Sequence, residues 1–370
     1  MKILYLINSY ADGGAEHGLA TLVENGFFQG HDLSVLALCK GTGWACERLR
    51  AALGRTRVGY LYEDEDVGNA VLARAIPRLV GALMDRRPDV LFLSLPQANF
   101  AGRLAALAFP AMRVVAFEHT VDYRRRSAGL LMRLTAGRVN AVFYDAPETW
   151  ASIRRAYGAG WSGPALYVPL TVLRCREDEP CRPGRGEPDG GVLRILTTGR
   201  LIAQKNQENL IRAIRLVVDR GHRVVLDIAG EGEERGRLQT VIHELGLERH
   251  VTLLGFIRDC APLRRSSDIY VQVSVREGLC IAVLEAMAEG MLVVATDVGG
   301  IRDYGVDGEN MIKAAGTEPP AIADALIRAI DGLKDSGRIR GNALDTIQHQ
   351  FTEAAITGAW STAQSALCMR

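Results

Sequence analysis

The stretch DIYVQVSVREGLCIAVLEAMAEGMLVVATD, residues 268–297, decides the fold. It opens with a β-rich run, 268–274, turns at Gly278, and continues into an apolar stretch of helical length. The helix is expected from about Ile281 to Glu289, with Gly290 as its stop. A second β-rich run, 292–297, follows at once. Strand, turn, helix and strand in so short a space make a unit of parallel sheet.

The same alternation extends in both directions. Towards the N-terminus, strands are expected at 192–199, 223–230 and 250–256. Further back lie 2–9, 32–38, 89–95, 113–119 and 141–146, with a helix at 15–28. The alternation halts once, at TVLRCREDEPCRPGRGEPDGG (171–191), which is charged, rich in Gly and Pro, and without periodicity. The expectation is therefore an α/β chain with two doubly wound domains. Residues 1–170 form the first, 171–191 a linker, 192–350 the second, and 351–370 a terminal helix. Strand ends facing each other across a cleft would form the ligand site.

Composition narrows the class. The chain has 370 residues, 48% hydrophobic and 24% charged, which suits a globular protein. Its net charge is +1, with no long basic block, so nucleic acid is not an expected partner. MKILYLINSY turns polar by Asn8 and reads as a strand, not a secretory leader. No apolar run reaches the roughly 18 residues of a membrane span. Seven scattered cysteines argue against a disulfide framework and for a reducing cytosol.

Within the opening stretch, Glu277 falls in the loop after a strand and Glu285 falls inside the following helix. Between them lie the free N–H groups of a helix N-terminus, which suit a diphosphate. A nucleotide sugar carries a sugar on one side of its diphosphate and a ribose on the other. Two carboxylates flanking the phosphate could each accept hydroxyl protons. TTGRLIAQKNQENLIRAI (197–214) adds Arg200 and Lys205 ahead of a second helix, two cations able to neutralise a diphosphate without a metal. The plainer alternative is a set of solvated charges.

Other chemistries fit less well. Asp64-x-Asp66 in YEDED (62–66) has the spacing of a metal motif but reads as a solvated acidic loop. Gly13-x-Ala15-x-x-Gly18 narrowly misses a dinucleotide fingerprint, and the strand after it ends LALCK, with no acid for a ribose. Neither a zinc helix, a Cys-x-x-Cys pair nor a serine nucleophile elbow is present. DYRRRSAGLLMRLTAGR (122–138) mixes Arg124, Arg125, Arg126, Arg133 and Arg138 with Leu130, Leu131, Met132 and Leu134. It reads either as a membrane-resting amphipathic surface or as a helix with a buried apolar face.

GGAE (Gly13–Glu16), EHT (Glu118–Thr120), GRLIAQKN (Gly199–Asn206), AGEGEE (Ala229–Glu234), EGLCIAVLEAMAEGMLVVAT (Glu277–Thr296) and the pair Gly299, Gly300 occur in one order over nearly the whole chain. In that order they resemble the retaining glycosyltransferases of family 4. The resemblance implies the GT-B fold, two Rossmann-like domains with a C-terminal helix crossing back to the first. It implies a metal-independent hexosyltransferase with no cofactor. The donor would be a nucleotide sugar, a UDP-sugar first and GDP-mannose as the other choice. The first domain would take a glycan or lipid-linked acceptor. By the same resemblance Arg200 and Lys205 bind the diphosphate, Glu277 meets the transferred sugar, and Glu285 holds the ribose. The backbone at Gly278, Leu279, Cys280 and Ile281 meets the phosphate. Gly13 and Gly14 close over it, His119 lies beside the sugar, and Phe256 and Ile257 line the base pocket. Glu277, His119, Arg200 and Lys205 form the implied catalytic set.

The sequence departs from the family in EGLC, where members often read Glu-Gly-Phe-Gly or Glu-Gly-Phe-Pro. YVPLTV (167–172) stands where Asn-Gly is common, and KN replaces Lys-Gly. The combination is similar to bacterial members that extend lipid-linked oligosaccharides or polysaccharides. That implies work at the cytoplasmic side of a membrane, with Arg124, Arg125 and Arg126 as the contact. A transferase for a small soluble acceptor, or a catalytically silent nucleotide-sugar-binding subunit, are the other functions considered.

Overall fold

The computed structural model describes residues 1–11, 13–41, 43–64, 68–119, 126–158, 160–174 and 191–368. Contacts divide the chain into two compact units, Met1–Val172 with Ile356–Arg370, and Leu173–Ala355. The expected linker falls almost wholly outside the described residues.

The first unit holds β1 (Lys2–Ile7), β2 (Asp32–Cys39), β3 (Val58–Tyr62), β4 (Val90–Ser94), β5 (Arg113–Glu118), β6 (Ala141–Tyr144) and β7 (Ala165–Tyr167). They pair in the order β3-β2-β1-β4-β5-β6-β7, every pair parallel. The second unit holds β8 (Leu193–Thr198), β9 (Val224–Ala229), β10 (Val251–Gly255), β11 (Ile269–Gln272), β12 (Leu292–Thr296) and β13 (Ile312–Ala314). Their order is β10-β9-β8-β11-β12-β13, again all parallel. Parallel strands need crossover helices on both faces, so they are apolar throughout rather than alternating. Ile3–Ile7, β4 and β12 are accordingly buried along their whole length.

The terminal helix is Glu353–Cys368. Ile356, Trp360, Ala363 and Leu367 join the first unit's core beside Phe27, Phe143 and Leu170. Trp360 Nε1 donates to the Pro169 carbonyl at 3.2 Å, and Gln364 Nε2 donates to Phe27 O at 2.5 Å. Arg113 donates to the carbonyls of Ala366 and Leu367 near the helix end. An apolar stripe and four hydrogen bonds hold this helix to a unit from which it is remote in sequence.

Three strands escape the sequence pattern, β3, β7 and β13, all on or next to a sheet edge. The acidic run YEDED begins on the last residue of an edge strand, because β3 ends at Tyr62. Asp64 is exposed, and Asp66 lies outside the described residues.

Candidate functional site

In the second sheet β8 and β11 lie side by side, and the order reverses between them. Crossovers leave these two strands in opposite directions, which opens a crevice at their carboxyl ends. Both sequence motifs emerge there. From β8 the chain passes Gly199 and exposed Arg200, makes a short 3-10 turn at Ala203–Lys205, and enters helix Gln207–Asp219. From β11 it passes Ser274 and Glu277 and enters helix Ile281–Ala288.

The loops are stitched together. Asn206 Nδ2 donates to Val273 O at 3.1 Å and Thr317 O at 2.8 Å; Gln204 Nε2 donates to Arg276 O at 3.0 Å. The glycines of the motifs allow backbones to touch. A Cβ on Gly230 would lie 1.9 Å from Gly199 O, and one on Gly299, whose φ is +53°, would lie 2.0 Å from Glu277 O. Gly300 N–H donates to Gly278 O at 2.7 Å, clamping the loop that carries Glu277.

Glu277 is the centre of the arrangement and is buried, not a solvated loop acid. Three donors converge on its Oε1: Lys205 Nζ at 2.7 Å, Ser274 Oγ at 2.5 Å and Gln272 Nε2 at 3.4 Å. All three bonds fall on Oε1 and none of them on Oε2, so one oxygen is anchored by this set and the other is left open by it, with the Cys280 thiol close to the same carboxylate. The anchoring continues along β11. Gln272 Nε2 donates to Ser274 Oγ at 2.8 Å, and Tyr270 donates to Gln272 Oε1 at 3.1 Å. Thr198 Oγ1 lies 3.0 Å from the Tyr270 hydroxyl. Burial acts to lower the Lys205 pKa, but the Glu277 carboxylate outweighs it and the net shift is upward. Cys280 caps the next helix with a positive φ of 60°. Burial pushes its thiol pKa well up, and the nearby Glu277 charge adds to that, so it is an inert thiol.

Glu285 lies one turn into helix Ile281–Ala288 and is half-buried. Burial raises its carboxyl pKa, opposed by the guanidinium of Arg264, whose Nη1 lies 2.9 Å from Oε2. Arg264 belongs to helix Ala261–Ser266, which follows the turn bearing exposed Phe256 and half-buried Ile257. Ile281 opens the helix, Cys280 caps it and Leu279 precedes the cap, so their N–H groups have no intrahelical acceptor. Sequence reasoning missed Gln272, Ser274, Asn206 and Arg264. For the first two a signal existed: Tyr270, Gln272 and Ser274 recur at period two in a strand that is otherwise apolar.

The first unit carries the remaining expected residues on the carboxyl rim of its own sheet. Gly13 precedes helix Gly14–Glu24. His119 follows β5, with Nε2 2.9 Å from Ser94 Oγ and Nδ1 3.3 Å from Asp145 Oδ2. Glu118 is held in the core by Asn99, Arg103 and Tyr157. Arg124 and Arg125 lie outside the described residues, as does the side chain of Arg126. Helix Arg126–Thr135 is shorter than the basic stretch, and Met132 is buried. Arg138 is not a lipid-facing cation: its guanidinium donates to the carbonyls of Ala106, Phe109 and Met112. Among the described residues, no group of three His, Cys, Asp or Glu is placed to hold a metal ion.

The family model for glycosyl transferases group 1 matches residues 185–345, which contain the whole Lys205–Glu277–Glu285 site. The lipopolysaccharide core biosynthesis glycosyltransferase LpsE of Rhizobium meliloti is 32% identical over 358 residues, 94% of this chain and 95% of that protein. The chain belongs to the group 1 glycosyl transferases. Another relative of this glycosyltransferase is an uncharacterized glycosyltransferase of Methanocaldococcus jannaschii, 34% identical over 160 residues. That match spans 43% of this chain and only 41% of the relative. Among solved structures, Anabaena HepE in complex with UDP and glucose aligns with a TM-score of 0.80 at 20% identity, over 100% of both chains. At that identity the likeness concerns the fold, the GT-B architecture of two Rossmann-like units.

Proposed function

We propose that this glycosyltransferase is a retaining, metal-independent hexosyltransferase. It moves a sugar from a nucleotide-sugar donor, a UDP-sugar first, to a glycan or lipid-linked glycan of the cell surface. The observation that carries the reading is Glu277, with Oε1 anchored and Oε2 open at the switch point of the second sheet. A carboxylate so held can accept a sugar hydroxyl in a fixed direction. Lys205 and Arg200 flank the same loops and would neutralise the diphosphate as it leaves. Glu285 would take the ribose, while the first-turn amides of helix Ile281–Ala288 would meet phosphate oxygens. Phe256 and Ile257 would line the base pocket. Gly13, Gly14 and His119 come from the first unit, which would bind the acceptor. In the transfer, the bond from the sugar's anomeric carbon to the phosphate oxygen breaks. A bond to the acceptor oxygen forms on the same face, and the acceptor's proton passes to the leaving phosphate. The name of LpsE, a lipopolysaccharide core glycosyltransferase, supports a cell-surface glycan acceptor, and the UDP and glucose bound by HepE support a UDP-sugar donor.

A peripheral membrane contact belongs to the same proposal. On helix Arg126–Thr135, Leu130 and Leu134 are 60% and 73% exposed, one turn apart, beside exposed Arg133. Among the described residues no helix is long and apolar enough to cross a membrane.

Thermal shift with UDP-, GDP-, ADP- and TDP-sugars tests the donor, because a ligand of the folded state raises the melting temperature by mass action. A UDP-sugar is expected to give the largest rise. The anomeric configuration of the first-formed product, read by proton NMR, is expected to match the donor. No shift with any nucleotide sugar, together with no donor hydrolysis, would defeat the reading.

A further inference from the structure

His119 entered the site by resemblance, but its surroundings assign it a particular state. The sheet register brings three residues together. Ser94 pairs with Phe117, and Glu118 pairs with Tyr144, so the residues just beyond, His119 and Asp145, are neighbours. Phe117 and His119 fall on one side of the strand, with ring centroids 4.3 Å apart. The side chains of His119 and Asp145 are 5% and 4% exposed, and Ser94 is fully buried.

An aspartate carboxylate only accepts hydrogen bonds. The 3.3 Å contact of Asp145 Oδ2 with Nδ1 therefore places the ring proton on Nδ1. In the neutral ring, Nε2 is then the acceptor, and the Ser94 hydroxyl donates to it at 2.9 Å. Both nitrogens are spent on the protein. The other oxygen of Asp145, Oδ1, is buried and has no hydrogen-bond partner among the described residues. A buried acceptor without a donor costs stability. Holding the imidazole gives that carboxylate a use. On the neighbouring residue, Asn99, Arg103 and Tyr157 hold Glu118, so consecutive side chains at the end of β5 are fixed on opposite sides of the strand.

We propose that Asp145 and Ser94 are positioning residues for sugar transfer. They fix His119 as its Nδ1–H tautomer with both ring nitrogens engaged, so that this histidine shapes the site without serving as its proton acceptor. The kinetic part of the inference rests on the donor reading above. The tautomer part needs no substrate and can fail separately.

The test is proton–nitrogen NMR of the protein labelled with ¹⁵N-histidine, in which long-range ring correlations report the tautomer. The chain has seven histidines, and the signal lost in His119→Gln assigns the one in question. The expected result is an Nδ1–H ring in the wild type. Asp145→Ala should move it towards Nε2–H and lower kcat by about tenfold, the scale of one lost hydrogen bond, with the donor KM little changed. Asp145→Asn, whose amide oxygen can still accept from Nδ1, should restore part of both. An Nε2–H ring in the wild type overturns the proposal, and that measurement stands even if Asp145→Ala does not fold. An unchanged tautomer in a folded Asp145→Ala protein, or a changed tautomer with undiminished kcat, overturns it as well.

Discussion

Lys205 Nζ lies 2.7 Å from Glu277 Oε1, and the two residues reach each other from loops after β8 and β11. Their side chains are only 19% and 7% exposed. Removing one member of a buried pair leaves the other charge uncompensated. Lys205→Ala is expected to lose about 3 kcal/mol of stability, the lower end for a broken buried pair, because Ser274 and Gln272 still donate to the carboxylate. In urea unfolding, Lys205→Ala/Glu277→Ala should be more stable than the sum of the two single losses predicts. Strict additivity would mean that the pair contributes nothing.

Arg200 offers the cleaner test of diphosphate binding. It is exposed, and among the described residues no ion pair of this side chain is seen, so Arg200→Ala should leave the melting temperature unchanged. A charge-assisted contact to phosphate is worth roughly 1.5–3 kcal/mol, so nucleoside diphosphate affinity should fall by about tenfold or more. Unaltered affinity by calorimetry would remove Arg200 from the site.

The Lys205 ammonium also predicts a pH dependence. Its folded pKa is raised above the ordinary 10.5, because Glu277 outweighs burial. The contribution of this group to stability is therefore complete below the unfolded pKa and is lost as pH rises through the folded one. The stability difference between wild type and Lys205→Met should be flat from about pH 6 to about pH 9 and shrink only in stronger alkali. A difference that already declines between those values would show that the ammonium is not held as described.

The strands that flank the site were legible because parallel strands buried on both faces are written as unbroken apolar runs. Glycine turns and the Glu277–Glu285 spacing marked the loops. The pairing of Lys205 with Glu277 was not legible: the sequence directs both towards a ligand, and only the adjacency of β8 and β11 turns them towards each other. β7 and β13 are three residues long, and β3 alternates small, aromatic and aliphatic residues at an edge, so none makes a run. Arg264 was hidden for a different reason. Its helix, APLRRS, is too short and too charged to show periodicity, and its partner Glu285 stands on another element.

Metal independence can be tested directly. Two cations beside the proposed phosphate site supply the charge that a divalent ion would otherwise bring. Exhaustive treatment with EDTA is expected to leave initial rates within the error of the assay. A rate lost to EDTA and recovered with Mg²⁺ or Mn²⁺ would redirect attention to Asp64 and Asp66.

The two glutamates should fail in different ways. Glu285 carries the proposed ribose contact, and Arg264 fixes one of its oxygens at 2.9 Å. Glu285→Gln keeps the volume but replaces an acceptor oxygen with a donor. It should weaken the nucleoside diphosphate and the complete donor alike, since both contain the ribose. Arg264→Met should do the same to a smaller degree, because it frees the carboxylate without removing it. Glu277 differs, since its open Oε2 is proposed to meet the transferred sugar, which the nucleoside diphosphate lacks. Glu277→Gln should leave nucleoside diphosphate affinity nearly intact and lower kcat, as positive charge develops on the sugar where a carboxylate no longer stands. Calorimetry with the nucleoside diphosphate, beside transfer kinetics, separates the cases. If Glu277→Gln loses nucleotide affinity while Glu285→Gln keeps it, the two roles are exchanged. If neither variant changes binding or turnover, the anchored carboxylate is a structural charge and the catalytic centre lies elsewhere.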